Sequence, residues 1–266
     1  MDFETALSTI DAAASIPSLQ TVFFSGGEIF IFYDELLSLM KAASQRFTII
    51  CATNGFWGYD YSDASKKLRR LKNAGLSKLL LSYDVFHAKY TPPQSIKNIL
   101  KICKELQIQA EIESVACKTS WRLSKTADML LDDILEIPIS EAALLPIGAA
   151  VNLPADSLLY ENDSDMDRCL GSNAITILPD GTLYSCCSPA CASIPVLQVG
   201  TIKNGEDISA LLQSAVSNKM LGRLRKYGIS GTCSRFFPHD AITPKQRYVN
   251  TCDKCHHMLS QVTYRD

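Results

Sequence analysis

The sequence has almost no net charge, no long uninterrupted apolar run and no cysteine before Cys51. Lysine and arginine total 26 against 28 aspartates and glutamates, a net charge of -2, so no global field draws the chain to nucleic acid or to an anionic membrane. The N-terminus reads Met-Asp-Phe-Glu-Thr, with acids where a secretory signal carries lysine or arginine and no apolar core behind them, which argues against export. The greasiest stretch, 134–153, is broken by Glu136, Pro138, Glu141 and Pro146, too often for a membrane-spanning helix. The expectation is a cytoplasmic protein with neither a nucleic-acid nor a membrane partner.

What is present suits a large domain with an appendage: 266 residues, 47% hydrophobic and 20% charged, leave enough apolar side chains for a sizeable core. In a reducing compartment ten cysteines are metal ligands, reactive thiols or small core residues sooner than disulfides. Cys51, Cys103 and Cys117 are scattered, whereas the other seven crowd the region from Cys169 onward. That shift puts a boundary within 154–168 and suggests domains at 1–153 and 154–266.

Along the first domain, helical and strand periodicities alternate. A helical stripe (3–15) ends at Pro17; apolar strand-like runs at 21–24, 47–51 and 78–82 are each followed by a polar turn and an amphipathic helix, at 33–43, 63–74 and 94–106. An alternating run at 108–115, a helix at 123–135 and a further apolar run at 143–147 complete five strands. Strands separated by helices pair in parallel, so the fold class is α/β, with open sheet and partial barrel indistinguishable by periodicity. Such sheets gather their chemistry at the carboxyl ends of the strands.

The residues found there are Ser25-Gly26-Gly27-Glu28, Thr53-Asn54-Gly55 and Ser82-Tyr83-Asp84, with His87 just beyond. Paired glycines let backbone amides approach a ligand, and Glu28 adds a fixed charge able to meet an amine. Taken alone the segment reads at least as well as a tight turn before a helix. Ser82 and Asp84, two apart, lie on one side of an extended segment, a spacing that suits ribose hydroxyls, although an aspartate here is more commonly a helix cap.

In this order the three segments resemble the radical S-adenosylmethionine (SAM) superfamily, whose fold is a curved partial (β/α) barrel. The resemblance implies that Gly26, Gly27 and Glu28 contact the methionyl amine of SAM and that Ser82 and Asp84 reach its carboxylate and ribose. Two departures stand out. Ile29 occupies the position where the family usually has proline, and the Cys-x-x-x-Cys-x-x-Cys loop that holds the catalytic cluster upstream of the glycines is absent; Cys187-x-x-x-Cys191 begins a similar spacing, but Ile194 stands third. The expectation is a barrel missing its first strand, with truncation a better account than point loss of ligands.

In the tail, Pro179-Asp180-Gly181 marks a hairpin that brings Cys169 and Cys186 together, and Cys252-Asp-Lys-Cys255 offers two thiols on one short loop at a metal-closing spacing. The pattern is similar to the SPASM and twitch extensions of radical SAM enzymes. It implies one auxiliary [4Fe-4S] cluster on Cys169, Cys186, Cys252 and Cys255; Cys187, Cys191 and Cys233 read as core or idle thiols, with Cys187 an alternative to Cys186 as ligand, and a structural zinc site would use the same four ligands. By resemblance the intact form is an enzyme that reductively cleaves SAM to a 5′-deoxyadenosyl radical, takes electrons from a donor and abstracts hydrogen from a substrate such as a ribosomal peptide. The alternatives are a non-catalytic binding protein derived from the same barrel and a zinc-stabilised α/β protein.

Overall fold

The computed structural model describes residues 1–130, 137–161, 166–169, 174–203 and 207–262. Ala6–Ala142 make one compact unit; Met1–Thr5 with Ala143–Asp266 make another. The first holds β1 (Thr21–Phe24), β2 (Thr48–Thr53), β3 (Leu76–Ser82), β4 (Gln109–Ala116) and β5 (Ile139–Ala143), side by side in chain order. The pairs β1/β2, β2/β3 and β3/β4 are parallel. Helices α2 (Tyr33–Ala43), α3 (Tyr61–Asn73), α4 (Pro93–Leu106) and α5 (Leu123–Leu130) occupy the crossovers, and α1 (Phe3–Ala14) precedes β1. Stepping one strand at a time through crossovers of one hand keeps the helices on one face, as in a (β/α) barrel and unlike a doubly wound sheet.

Side-chain alternation explains which face is covered. Ile49, Cys51, Leu79, Leu81 and Ile112 are fully buried and share a core with Met40, Leu68, Leu71, Ile96 and Ile99. The opposite face carries Phe23, which is 52% exposed, and the Lys78–Glu111 ion pair. Local chemistry sets the helix ends: Asp60 accepts from the Asp63 amide at 2.7 Å to start α3, and Pro93 opens α4. Gly55 sits at φ 73, and a β-carbon on it would come within 2.8 Å of Ile96, so the turn after β2 lies flat against α4. Cys51 and Cys103 are core residues, their thiols pushed up to about 12 by burial.

One strand differs from expectation. The fifth is Ile139–Ala143, not the apolar run 143–147; β5 alternates in burial, and its neighbour Pro138 accepts from the Ile112 amide at 3.0 Å. Leu144-Leu145-Pro146 leads instead into a 3-10 turn at Gly148–Asn152. The helix expected at 123–135 begins as α5, and its last five residues lie outside the described ones.

The second unit contains a three-stranded antiparallel sheet of β6 (Thr176–Ile177), β7 (Thr182–Tyr184) and β8 (Gln198–Thr201). The hairpin turns at Pro179-Asp180-Gly181, where the Asp180 carboxylate accepts from the Thr182 amide at 2.9 Å. Around the sheet stand α6 (Ile208–Val216), α7 (Lys219–Phe236) and α8 (Thr251–Leu259). α7 is broken at Gly228, at φ 74 and ψ 177. There the Asp167 carbonyl accepts from Ile229 N at 2.6 Å and its carboxylate from Ser230 N at 3.0 Å, so Asp167 caps the second half of α7.

Candidate functional site

The first candidate site lies where β1 and β2 end. Gly26 and Gly27 are exposed and Glu28 is half-buried. Glu28 Oε1 accepts from Phe30 N at 3.0 Å and from Thr53 Oγ1 at 2.8 Å, and Oε2 accepts from Asn54 N at 2.8 Å. Thr53, 3% exposed, also accepts from Trp57 Nε1 at 3.0 Å and Gly55 N at 3.1 Å. Trp57 in turn stacks on Phe30, with ring centroids 4.1 Å apart and planes 6° from parallel. One carboxylate therefore binds the glycine loop to the second strand-end loop, while Oε2 keeps a lone pair for a further donor.

At the end of β3, Ser82 is half-buried and its hydroxyl has no partner among the described residues. Asp84 is 1% exposed. Its Oδ1 accepts from Phe86 N at 2.8 Å, His87 N at 3.1 Å and His87 Nδ1 at 2.9 Å, and Oδ2 accepts from Val115 N at 3.2 Å. Burial pushes the carboxyl up, but the bonds and charge from His87 and the Val115 amide outweigh it, leaving Asp84 below the ordinary 3.8. Asp84 thus ties the loop after β3 to the end of β4, behind the more open Ser82.

The second candidate site is the cysteine group of the other unit. Cys169 and Cys186 pack against a buried apolar cluster that contains Cys233, Cys255, Leu224 and Leu259. Burial raises the Cys255 thiol well above its ordinary value, and Cys186, Cys169, Cys252 and Cys233 each raise it further. Cys186 is pushed up to about 12 by burial first, with Cys187, Cys191 and Cys252 adding to the rise and the Ser188 amide opposing it. Cys252 is raised by burial, then by Cys187 and Cys169, against a hydrogen bond from Ser188. Cys255 thus stands within electrostatic reach of the other three expected ligands, although among the described residues no three His, Cys, Asp or Glu side chains are in metal-holding array.

Cys169, Cys186 and Cys255 border one apolar cluster, and the mutual repulsion that helps keep Cys186, Cys252 and Cys255 protonated is one that a bound cation would reverse. Cys252 and Cys255 sit on α8, not on the loop expected from their spacing; Asn250 caps the helix by accepting from Asp253 N at 3.1 Å. Three residues apart on a helix, they still share one side. Sequence reasoning passed over Thr53 as a partner of Glu28 and the Val115 amide as a partner of Asp84, because nothing in a single sequence pairs positions 25 or more apart except a fold in which their strands are neighbours.

No family model matches the chain. It is similar to YydG of Bacillus subtilis (strain 168), provisionally named a peptide biosynthesis protein, at 27% identity over 238 residues covering 86% of this chain and 72% of that protein. Among solved structures, anSMEcpe with bound AdoMet and the Kp18Cys peptide superposes with a TM-score of 0.52 at 14% identity, over 85% of this chain and 75% of that one. A histidine-tagged form of anSMEcpe with bound AdoMet gives 0.52 at 13%, over 86% and 71%. The shared fold is a mixed α/β one with a parallel sheet and a separate antiparallel sheet near the C-terminus. Among the described residues no helix is long and apolar enough to cross a membrane.

Proposed function

We propose that this chain is the SAM-binding and auxiliary-cluster part of a radical SAM protein acting on a ribosomally made peptide, residues 1–153 serving the first role and 154–266 the second. The observation that carries the reading is the convergence of exposed Gly26-Gly27, the Glu28–Thr53–Asn54 bridge and the open Ser82 hydroxyl at one end of a parallel sheet. The similarity to YydG and to AdoMet-bound anSMEcpe supports it. A [4Fe-4S] centre with SAM would supply reductive cleavage and hydrogen abstraction, and an auxiliary [4Fe-4S] cluster would be held by Cys169, Cys186, Cys252 and Cys255.

The chain's own residues do the binding and orienting. Backbone groups of Gly26 and Gly27 line the amino-acid end of SAM, and the free lone pair of Glu28 Oε2 takes an ammonium hydrogen. Ser82 meets a ribose hydroxyl, and Asp84 positions Ser82 by fixing the turn behind it. Isothermal titration of SAM into the full chain tests the pocket: weak binding that Glu28→Ala and Ser82→Ala each diminish supports it, and binding unchanged in both refutes it. The zinc reading keeps the same four thiols, and metal analysis of the purified chain separates the two.

A further inference from the structure

The segment 219–239 contains five lysines and arginines and no aspartate or glutamate, in a chain of net charge -2. The break at Gly228 folds the two halves of α7 so that residues far apart in sequence meet. Arg223 lies 4.1 Å over the Phe236 ring, Arg235 4.7 Å and Lys226 5.1 Å over the Tyr227 ring, and the two rings stand 5.8 Å apart. On a straight helix Arg223 and Phe236, thirteen residues apart, would be separated by about 20 Å. Neither Lys219, Arg223, Lys226 nor Arg235 has a carboxylate partner among the described residues. Ring faces hold Arg223, Lys226 and Arg235 in place, and a ring, unlike a carboxylate, does not neutralise the cation it holds.

We propose that this ring-braced basic patch on α7 docks an acidic peptide segment. Charge complementarity names the occupant, and the net acidity of the whole chain favours a short acidic peptide over nucleic acid. At physiological salt the patch acts over about 8 Å, a range that takes in the ring-held cations together with the Asp167 carboxylate, which caps the second half of α7 and pairs with Lys254. A longer polyanion also meets the acids elsewhere on a chain that carries more acids than bases. Phe236, 36% exposed, offers apolar contact to side chains interspersed among the acids. The inference rests on this geometry alone and stands even if the SAM reading fails.

The test is fluorescence anisotropy of the full chain with a fluorescein-labelled Glu-Ala repeat peptide, a Gly-Ser peptide of equal length and an oligothymidylate of equal charge. The acidic peptide is expected to bind, to weaken about tenfold in Arg223→Gln/Arg235→Gln, and to be released by about 0.5 M salt. Arg223→Lys/Arg235→Lys should keep most of the affinity, and Lys66→Gln/Arg69→Gln on α3 should leave it unchanged, with circular dichroism confirming that all variants fold. Binding no tighter than that of the Gly-Ser peptide, equal losses in the α7 and α3 glutamine pairs, a lysine pair as weak as the glutamine pair, or oligothymidylate bound as tightly as the peptide would each overturn the proposal.

Discussion

Replacing Asp84 removes a buried acceptor used four times, by Phe86 N, His87 N, His87 Nδ1 and Val115 N. Hydrogen bonds to a charged group contribute about 1.5–3 kcal/mol each but are far from additive, and burying the carboxylate offsets part of the gain; the expected loss for Asp84→Ala is about 3 kcal/mol. Asp84→Asn keeps one acceptor oxygen but turns an amide donor towards other donors, so about 2 kcal/mol is expected. Both tryptophans, Trp57 and Trp121, belong to this unit, so their emission in a urea titration reports its unfolding. With a slope of about 1.5 kcal/mol/M, the midpoint of Asp84→Ala should fall by about 2 M. The pH dependence has a definite sign. The folded carboxyl lies below its unfolded value of 3.8, so the part of the wild-type advantage over Asp84→Asn that comes from the carboxyl's own ionisation is present above 3.8 and shrinks as pH falls through the folded value. An Asp84→Ala midpoint within about 0.3 M of wild type, or a difference that grows in acid, would refute the structural role given to Asp84.

Thr53→Val should destabilise the same unit by about 1–3 kcal/mol and shift Trp57 emission, because Glu28, Trp57 and Gly55 all lose a partner, while Thr53→Ser should restore most of both. Gly228→Ala meets both a left-handed φ of 74 and a collision between the new β-carbon and the Asp167 carboxylate, so a loss of about 2–3 kcal/mol is expected in a thermal melt followed by far-UV dichroism. Single serine substitutions at Cys169, Cys186, Cys252 or Cys255 should each lower iron retained after anaerobic reconstitution by more than half, whereas Cys51→Ser should leave it unchanged; colorimetric iron assay reads the difference.

The first three strands were legible because each is a short apolar run closed by glycine, asparagine or aspartate, the fourth because its apolar and polar residues alternate, and their order follows from the helical stretches between them. The fifth strand was misplaced because Leu144 and Leu145 outweigh, in apolar character, the half-buried alternation of 139–143 that pairs with β4. Glu28 and Asp84 were recognisable as strand-end polar residues, yet their bonding was not, since Thr53, Asn54 and Val115 become neighbours only once the sheet forms. The break in α7 depends on Asp167, which lies 63 residues before Ser230 and supplies a distant cap next to a glycine, and no local pattern carries that information. Spacing alone put Cys252 and Cys255 on a common side, but a loop and a helix satisfy that spacing equally.

Iron, sulfide and zinc measured on the anaerobically reconstituted chain, together with chromatography of its SAM reaction, test the central claim most directly. The expected result is a brown protein with about four irons per chain, little zinc and no released 5′-deoxyadenosine. A colourless protein with one zinc per chain, or robust 5′-deoxyadenosine formation by this chain alone, would contradict it.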